Sequence, residues 1–144
     1  MKNPWSERWS FVKDYIPNNV SVVDFGCGNK ESLDYITPTK YLGIDCLPGA
    51  DLIADLNKPF VLNDKFDVAL LLGVLEYVKD PAYTLNNIVS SADHFVVLSL
   101  IAKKAKPEWQ RVFTDQSIDE LLREYFSDVT HHRHGRYILS VCKK

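Results

Sequence analysis

Apolar residues fall along this chain in short unbroken runs, separated by polar turns and by stretches of helical spacing. Val20 to Phe25, Tyr41 to Asp45, Asp51 to Leu56, Phe66 to Leu72 and His94 to Leu100 read as strands. The last two are apolar at nearly every position, the pattern of strands buried on both faces. Elsewhere the period lengthens. Trp5, Trp9, Val12 and Ile16 recur at helical spacing behind Asn3-Pro4, an N-cap with proline at the first helical position. Pro17-Asn18-Asn19 stops that helix, and a brief one is expected from about Lys30 to Ile36, ended by Pro38. Asp80-Pro81 opens the next, with Leu85, Ile88 and Val89 on its inner face. Ser117-Ile118-Asp119-Glu120 matches a capping box, with Thr114 as a competing cap, and Leu121, Leu122 and Tyr125 continue that helix. Val129 begins a sixth strand and Arg136 to Cys142 reads as a seventh. The loop between them holds Gly135 and is too short for a crossover helix, so this pair should be antiparallel.

Strands alternating with helices and closed by a hairpin predict an α/β fold. The expected form is a three-layer α/β/α sandwich on a seven-stranded, mainly parallel, doubly wound sheet with an antiparallel closing strand. A length of 144 residues suits one domain. Residues 1–19 would form an N-terminal helix, 20–100 the ligand-binding core, and 101–144 a substrate-side segment with the closing strands. In such sheets ligands bind at the carboxyl ends of the strands, where the winding reverses.

Composition narrows the function classes. Hydrophobic residues make up 46% and charged residues 25%, ordinary values for a folded domain. The net charge of −2 provides no global attraction to nucleic acid or anionic lipid. No apolar run approaches the ~20 residues of a membrane-spanning helix, and the start lacks the apolar stretch of a signal peptide. A cytoplasmic location is therefore the expectation. Cys27, Cys46 and Cys142 are odd in number and lack CxxC spacing, so neither a disulfide framework nor a metal site is expected.

The strongest local signal is Val22-Val23-Asp24-Phe25-Gly26-Cys27-Gly28-Asn29-Lys30. A strand feeding glycines at a sharp turn lets backbone N–H groups approach a ligand that a Cβ would block. Asp24 adds a carboxylate at the ligand-facing edge. The third glycine of a dinucleotide fingerprint is missing, since its position holds Glu31. An acidic glycine loop suits a cationic, ammonium-bearing ligand better than a pyrophosphate. Asp45 follows Gly26 by 19 residues, the offset at which an acid ending the second strand accepts from ribose hydroxyls.

Together with Gly43-Ile44-Asp45, Ala54-Asp55-Leu56, Phe66-Asp67-Val68 and Val74-Leu75-Glu76-Tyr77-Val78-Lys79-Asp80-Pro81, this loop resembles the successive motifs of class I S-adenosylmethionine-dependent methyltransferases. The branch it is most similar to acts on small molecules and metabolites. The resemblance spans about residues 20–100, and the tail fits the family's closing helix and antiparallel strands. It implies S-adenosylmethionine as cofactor. Asp24, Gly26 and Gly28 would surround the methionyl part, with Asp24 facing its ammonium group and Cys27 and Cys46 beside the ligand. Asp45 would take the ribose hydroxyls, Asp55 the adenine amino group, and Leu56 the ring face. Gly73, Val74 and Leu75 would line the wall behind the sulfonium, while Asp67 would support the strand and loop. Two departures stand out. Lys30 occupies a position where the family often has a third glycine, so a long cation is expected over the site. Gly73 stands where a polar side chain often reaches the cofactor.

The acceptor side is less defined. His131, His132 and His134 lie at the carboxyl end of the sixth strand, and His132 is the candidate base or substrate contact; a solvated turn is the competing reading. Lys103, with Lys104 and Lys106, lies beside Trp109 on a segment leaving the fifth strand at the same edge, where it could meet an acidic or planar substrate. Glu76 and Tyr77 are further candidates for the acceptor side. The motif of exocyclic base-amine methylation is absent, as is the Pro-Cys nucleophile of cytosine C5 chemistry, so nucleic acid is not the expected partner. Little chain is left to cover the acceptor. An open site is expected, suiting a bulky glycan, lipid-linked or macromolecular acceptor, or one completed by a second subunit as a homodimer; the expected acceptor atom is a small-molecule, glycan or lipid-linked oxygen or nitrogen. The competing functions are a non-catalytic S-adenosylmethionine-binding regulatory or partner subunit and, ranked below it, an NAD-dependent oxidoreductase.

Overall fold

The computed structural model describes residues 7–101 and 107–144. The cap at Asn3-Pro4, Trp5 and the lysines Lys103, Lys104 and Lys106 lie outside these. Among the described residues, seven strands form one sheet: β1 (Ser21–Phe25), β2 (Lys40–Asp45), β3 (Leu52–Ile53), β4 (Phe66–Leu72), β5 (Ala92–Leu100), β6 (Asp128–His134) and β7 (Tyr137–Lys143). Their order is β3-β2-β1-β4-β5-β7-β6. The first five pair in parallel, and β7 runs antiparallel to both β5 and β6. This is the mainly parallel sheet with a reversed closing strand that the pattern predicts.

The continuous apolar runs serve two cores at once. Val23, Phe25, Ala69, Leu71, Phe95 and Val97 point to one face, where Leu85 and Ile88 of α2 (Pro81–Ile88) and Ile118 and Leu122 of α3 (Asp115–Arg123) pack on them. Their neighbours Val22, Val68, Leu70, Val96 and Leu98 point to the other, against Trp9 and Val12 of α1 (Trp9–Val12), Ile16 and Ile36. Each fully buried side chain of this size contributes about 1.5–3 kcal/mol. Winding proceeds outward from β1 through β2 to β3 and, on the other side, through β4 and β5. The carboxyl ends of β1 and β4 therefore flank the reversal point, where a crevice opens.

Several elements differ from expectation in extent. The helix expected from Lys30 is a single 3-10 turn, Glu31–Asp34, because Lys30 itself is left-handed at φ 63° and cannot enter a helix. Strand β3 keeps only Leu52 and Ile53 of the run to Leu56; it is a sheet edge, paired with Ile44 and Asp45 alone. Thr114, not Ser117, caps α3. Thr114 Oγ1 accepts from the Ser117 N–H at 3.0 Å while Ser117 Oγ accepts from the Thr114 N–H at 2.8 Å. Asp80 caps α2 as expected, accepting from the Tyr83 N–H at 3.2 Å.

Candidate active site

A cavity of about 630 Å³ occupies the crevice. Its walls come from four bends at the carboxyl ends of β1, β2, β3 and β4, with Arg8 and Trp9 entering from the N-terminal helix. The bend after β1 is tight. The N–H groups of Gly26 and Cys27 both donate to the Ile44 carbonyl, at 2.7 and 3.0 Å, tying the loop to β2. Gly26 has φ 73°, and a Cβ there would sit 2.6 Å from Val74 Cγ2. Glycine is thus required twice over, by its backbone and by the bend after β4.

Four carboxylates line the cavity, those of Asp24, Glu31, Asp45 and Asp55, and the three aspartates are each anchored differently. Asp24 is 4% exposed; its Oδ2 accepts from Ser32 Oγ at 2.7 Å and from the Tyr41 hydroxyl at 2.8 Å. Burial pushes its pKa up, while those two hydroxyls and the charge of Arg8 pull it back. Asp45 ends β2 and accepts from the Gly28 N–H at 2.9 Å and the Leu47 N–H at 3.3 Å. Asp55 accepts from the Asn57 N–H at 2.9 Å. The Arg8 guanidinium feels the charges of Glu31 and Asp24 and donates to the Leu72 carbonyl at 3.3 Å. Burial lowers its pKa, and Glu31 and Asp24 raise it again. Cys27 also lines the cavity, but burial and the surrounding carboxylates push its thiol up to about 11, so it stays protonated and inert at neutral pH.

A site with four acids, one guanidinium and a glycine bend has donors and acceptors for a ligand carrying an ammonium, a carboxylate and vicinal hydroxyls. Residues 1–140 match the family described as a methyltransferase domain. The chain belongs to that family. No curated protein matches it. Among solved structures the methyltransferase is similar to the N-methyltransferase NodS from Bradyrhizobium japonicum WM9 in complex with S-adenosyl-L-homocysteine. The identity is 17% and the TM-score 0.75, over 99% of this chain and 89% of that one. It is similar, too, to the Burkholderia thailandensis 1,6-didemethyltoxoflavin-N1-methyltransferase with bound 1,6-didemethyltoxoflavin and S-adenosylhomocysteine. There the identity is 16% and the TM-score 0.71, over 96% of this chain and 76% of that one. A methyltransferase structure from Mesorhizobium loti gives 16% and 0.72, over 95% and 97%. These likenesses establish the class I methyltransferase fold.

Of the residues singled out in the sequence, Asp24, Gly26, Cys27, Gly28, Asp45, Cys46, Asp55, Leu56, Gly73, Val74 and Tyr77 line the methyltransferase cavity. Others do not. Leu75 is 1% exposed and turns into the hydrophobic core behind the wall. Gly73 has φ 70°, so the bend after β4 uses it for its backbone, in a conformation that disfavours any larger residue. Lys30 does not overhang the cavity; its ammonium pairs with Asp51 at 2.7 Å. Asp67 sits at the amino ends of the strands, accepting from the Ser21 N–H at 2.8 Å.

The histidines lie at the expected end of the sixth strand but do not line the cavity. His132 packs its ring 4.6 Å from Tyr15, and His134 stacks on Phe11 at 4.2 Å while its Nε2 meets the Tyr15 hydroxyl at 3.0 Å. Both hold the N-terminal helix and neither lines the cavity. His131 lies 2.7 Å from Ser140 Oγ through Nδ1 and 2.7 Å from Asp119 through Nε2. Ser140 is fully buried, so this Ser–His–Asp line is closed to substrate and has a structural role. Glu76 is 2% exposed and sits behind the cavity, where burial raises its pKa to about 7. Trp109 is buried and meets Tyr77 edge-on at 6.5 Å, behind the cavity surface. Sequence reasoning missed Arg8, Ser32, Tyr41 and Asn57. Arg8 had a usable signal, since it stands one residue before Trp9 in the N-terminal aromatic stripe.

Proposed function

We propose that this methyltransferase moves the methyl group of S-adenosylmethionine to a small-molecule, glycan or lipid-linked oxygen or nitrogen. The observation that carries the reading is the convergence of Asp45, Asp55 and the Gly26–Gly28 bend on one cavity, at the reversal point of the sheet. In this reading Asp24 and the loop hold the ammonium end of the donor, and Arg8 faces its carboxylate. Asp45 accepts from the ribose hydroxyls, Asp55 from the adenine amino group, and Leu56 covers the ring. Val74, with the backbone of Gly73, forms the wall behind the reacting sulfur.

When bound, the donor supplies an electrophilic methyl on a sulfonium whose leaving group needs no acid. The task of the protein is then alignment. Fixing both partners in line can lower a barrier by roughly 7–11 kcal/mol in favourable systems. Tyr77 lines the cavity beside Val74 and Val78 and is 39% exposed, which supports a role for it on the acceptor side. The bound toxoflavin precursor of the Burkholderia enzyme supports a small-molecule acceptor. An NAD-dependent reading fits less well, because Asp24 and Glu31 line the bend where a pyrophosphate would need neutral N–H donors.

Isothermal titration with S-adenosylhomocysteine and with NAD tests the assignment. Binding of the first and not the second is expected; the reverse result overturns it. Transfer of labelled methyl from S-adenosylmethionine to candidate acceptors then separates an enzyme from a binding subunit.

A further inference from the structure

The bend after β4 contains a dense cluster of backbone carbonyls pointing away from the cavity, and one side chain satisfies three of them. Arg111 Nη1 donates to the Leu75 carbonyl at 2.8 Å and to the Val78 carbonyl, and its Nη2 donates to the Lys79 carbonyl at 2.6 Å. The neighbouring Gln110 N–H adds a bond of 2.8 Å to the Glu76 carbonyl. Four carbonyls of the bend, those of Leu75, Glu76, Val78 and Lys79, are thereby bonded by two adjacent residues that lie more than thirty positions further along the chain. The inner surface of this same bend is Val74, Tyr77 and Val78, all lining the cavity.

We propose that Arg111 is a positioning residue for methyl transfer. It touches neither ligand; it sets the wall against which donor and acceptor meet. The chemistry favours arginine for the task. A planar guanidinium presents several donors in a fixed fork, and three carbonyls at different angles can use it, whereas a lysine ammonium would reach one or two. Burial lowers the Arg111 pKa, and the charges of Asp80 and Glu76 offset part of that. Gln110 and Arg111 therefore serve as a clamp on the bend, and Trp109 beside them meets Tyr77 edge-on.

The inference rests on the assignment of the cavity to S-adenosylmethionine, and the test keeps the two apart. Hydrogen exchange of the amides of residues 74–79 is compared in the wild type and in Arg111→Ala and Arg111→Lys, together with S-adenosylhomocysteine affinity. Faster exchange confined to this bend is expected in Arg111→Ala, with affinity lower by about tenfold, the equivalent of one charge-assisted hydrogen bond. Arg111→Lys should fall between, and millimolar methylguanidinium should restore both readouts in Arg111→Ala. Leu122→Ala, which destabilises the core through α3, should keep its affinity. Unchanged exchange and affinity in Arg111→Ala overturn the proposal; so does a loss shared by every amide and not rescued by methylguanidinium. If the wild type fails to bind S-adenosylhomocysteine, the cofactor assignment falls, while the exchange data still decide whether Arg111 fixes the bend.

Discussion

The backbone N–H of Gly28 donates to Oδ2 of Asp45 at 2.9 Å, joining the bend after β1 to the end of β2. The acid that would hold the ribose is thus oriented by the same loop that would hold the methionyl group. Oδ2 is fixed by the Gly28 N–H and Oδ1 by the Leu47 N–H at 3.3 Å, and the group lines the cavity before any ligand arrives.

Asp45→Ala removes both the ribose acceptor and the partner of Gly28. Charge-assisted hydrogen bonds contribute about 1.5–3 kcal/mol, so S-adenosylhomocysteine affinity should fall by roughly 10–100-fold. Asp45→Asn keeps a carbonyl oxygen for one of the two tasks and should lose less. Equal affinity in wild type and Asp45→Ala, measured by calorimetry, would remove Asp45 from the site.

Gly26 and Lys30, two of the left-handed positions of the first bend, should respond in opposite ways. Gly26→Ala places a methyl 2.6 Å from Val74 Cγ2 on a backbone at φ 73°, and should cost about 2 kcal/mol or more. Adding Val74→Ala should recover part of that loss, since it relieves the contact and leaves the backbone strain. Lys30 at φ 63° carries the strain without the crowding. Lys30→Gly forfeits only a partly exposed pair with Asp51, and stability should hold or rise by up to about 1 kcal/mol. Thermal unfolding of the three variants beside the wild type decides. A Lys30→Gly protein far less stable than the wild type would show that the pair with Asp51 outweighs the strain.

Burial drives the Glu76 carboxyl up to about 7 from a usual 4.5, against the opposing charges of Arg111 and Arg8. Below the unfolded value both states are protonated and the group is neutral in its effect. As pH rises through the window from 4.5 to about 7, the unfolded chain releases the proton first, and stability falls. Glu76→Gln removes this titration. Its stability relative to the wild type should therefore grow across that window, by on the order of 2–3 kcal/mol between its ends. Denaturant unfolding of both proteins at pH 5 and pH 8 measures it. Parallel pH profiles would mean that Glu76 ionises normally.

What could be read from the sequence was what neighbouring residues determine. Phe66 to Leu72 and His94 to Leu100 declared themselves as central strands because each must satisfy two cores, and a run of apolar residues does so only in extended chain. The glycine bend, Asp45 and Asp55 were legible because a strand end and the turn after it are local features. The missed parts belong to contacts made across the fold. Tyr41 reaches Asp24 over 17 positions, and Arg111 reaches Leu75 over 36. His132 was placed at the correct edge of the sheet, yet no pattern in the chain shows that Tyr15 lies on it. Leu75 fails for a related reason: a three-residue motif marks a wall, but only the turn decides which of its side chains face inward.

Arg8 gives the sharpest test of ligand orientation, because one ligand can be trimmed at the group it is proposed to bind. S-adenosylhomocysteine carries the amino acid carboxylate; 5′-methylthioadenosine keeps the adenosine and the sulfur but lacks it. Arg8→Ala also removes the donor to the Leu72 carbonyl, and that structural loss should affect both ligands alike. The difference between them isolates the guanidinium–carboxylate pairing. Affinity for S-adenosylhomocysteine should fall about tenfold further than affinity for methylthioadenosine, in keeping with the strength of such pairs. If both ligands weaken equally, Arg8 acts only on the shape of the cavity, and the methionyl carboxylate lies elsewhere.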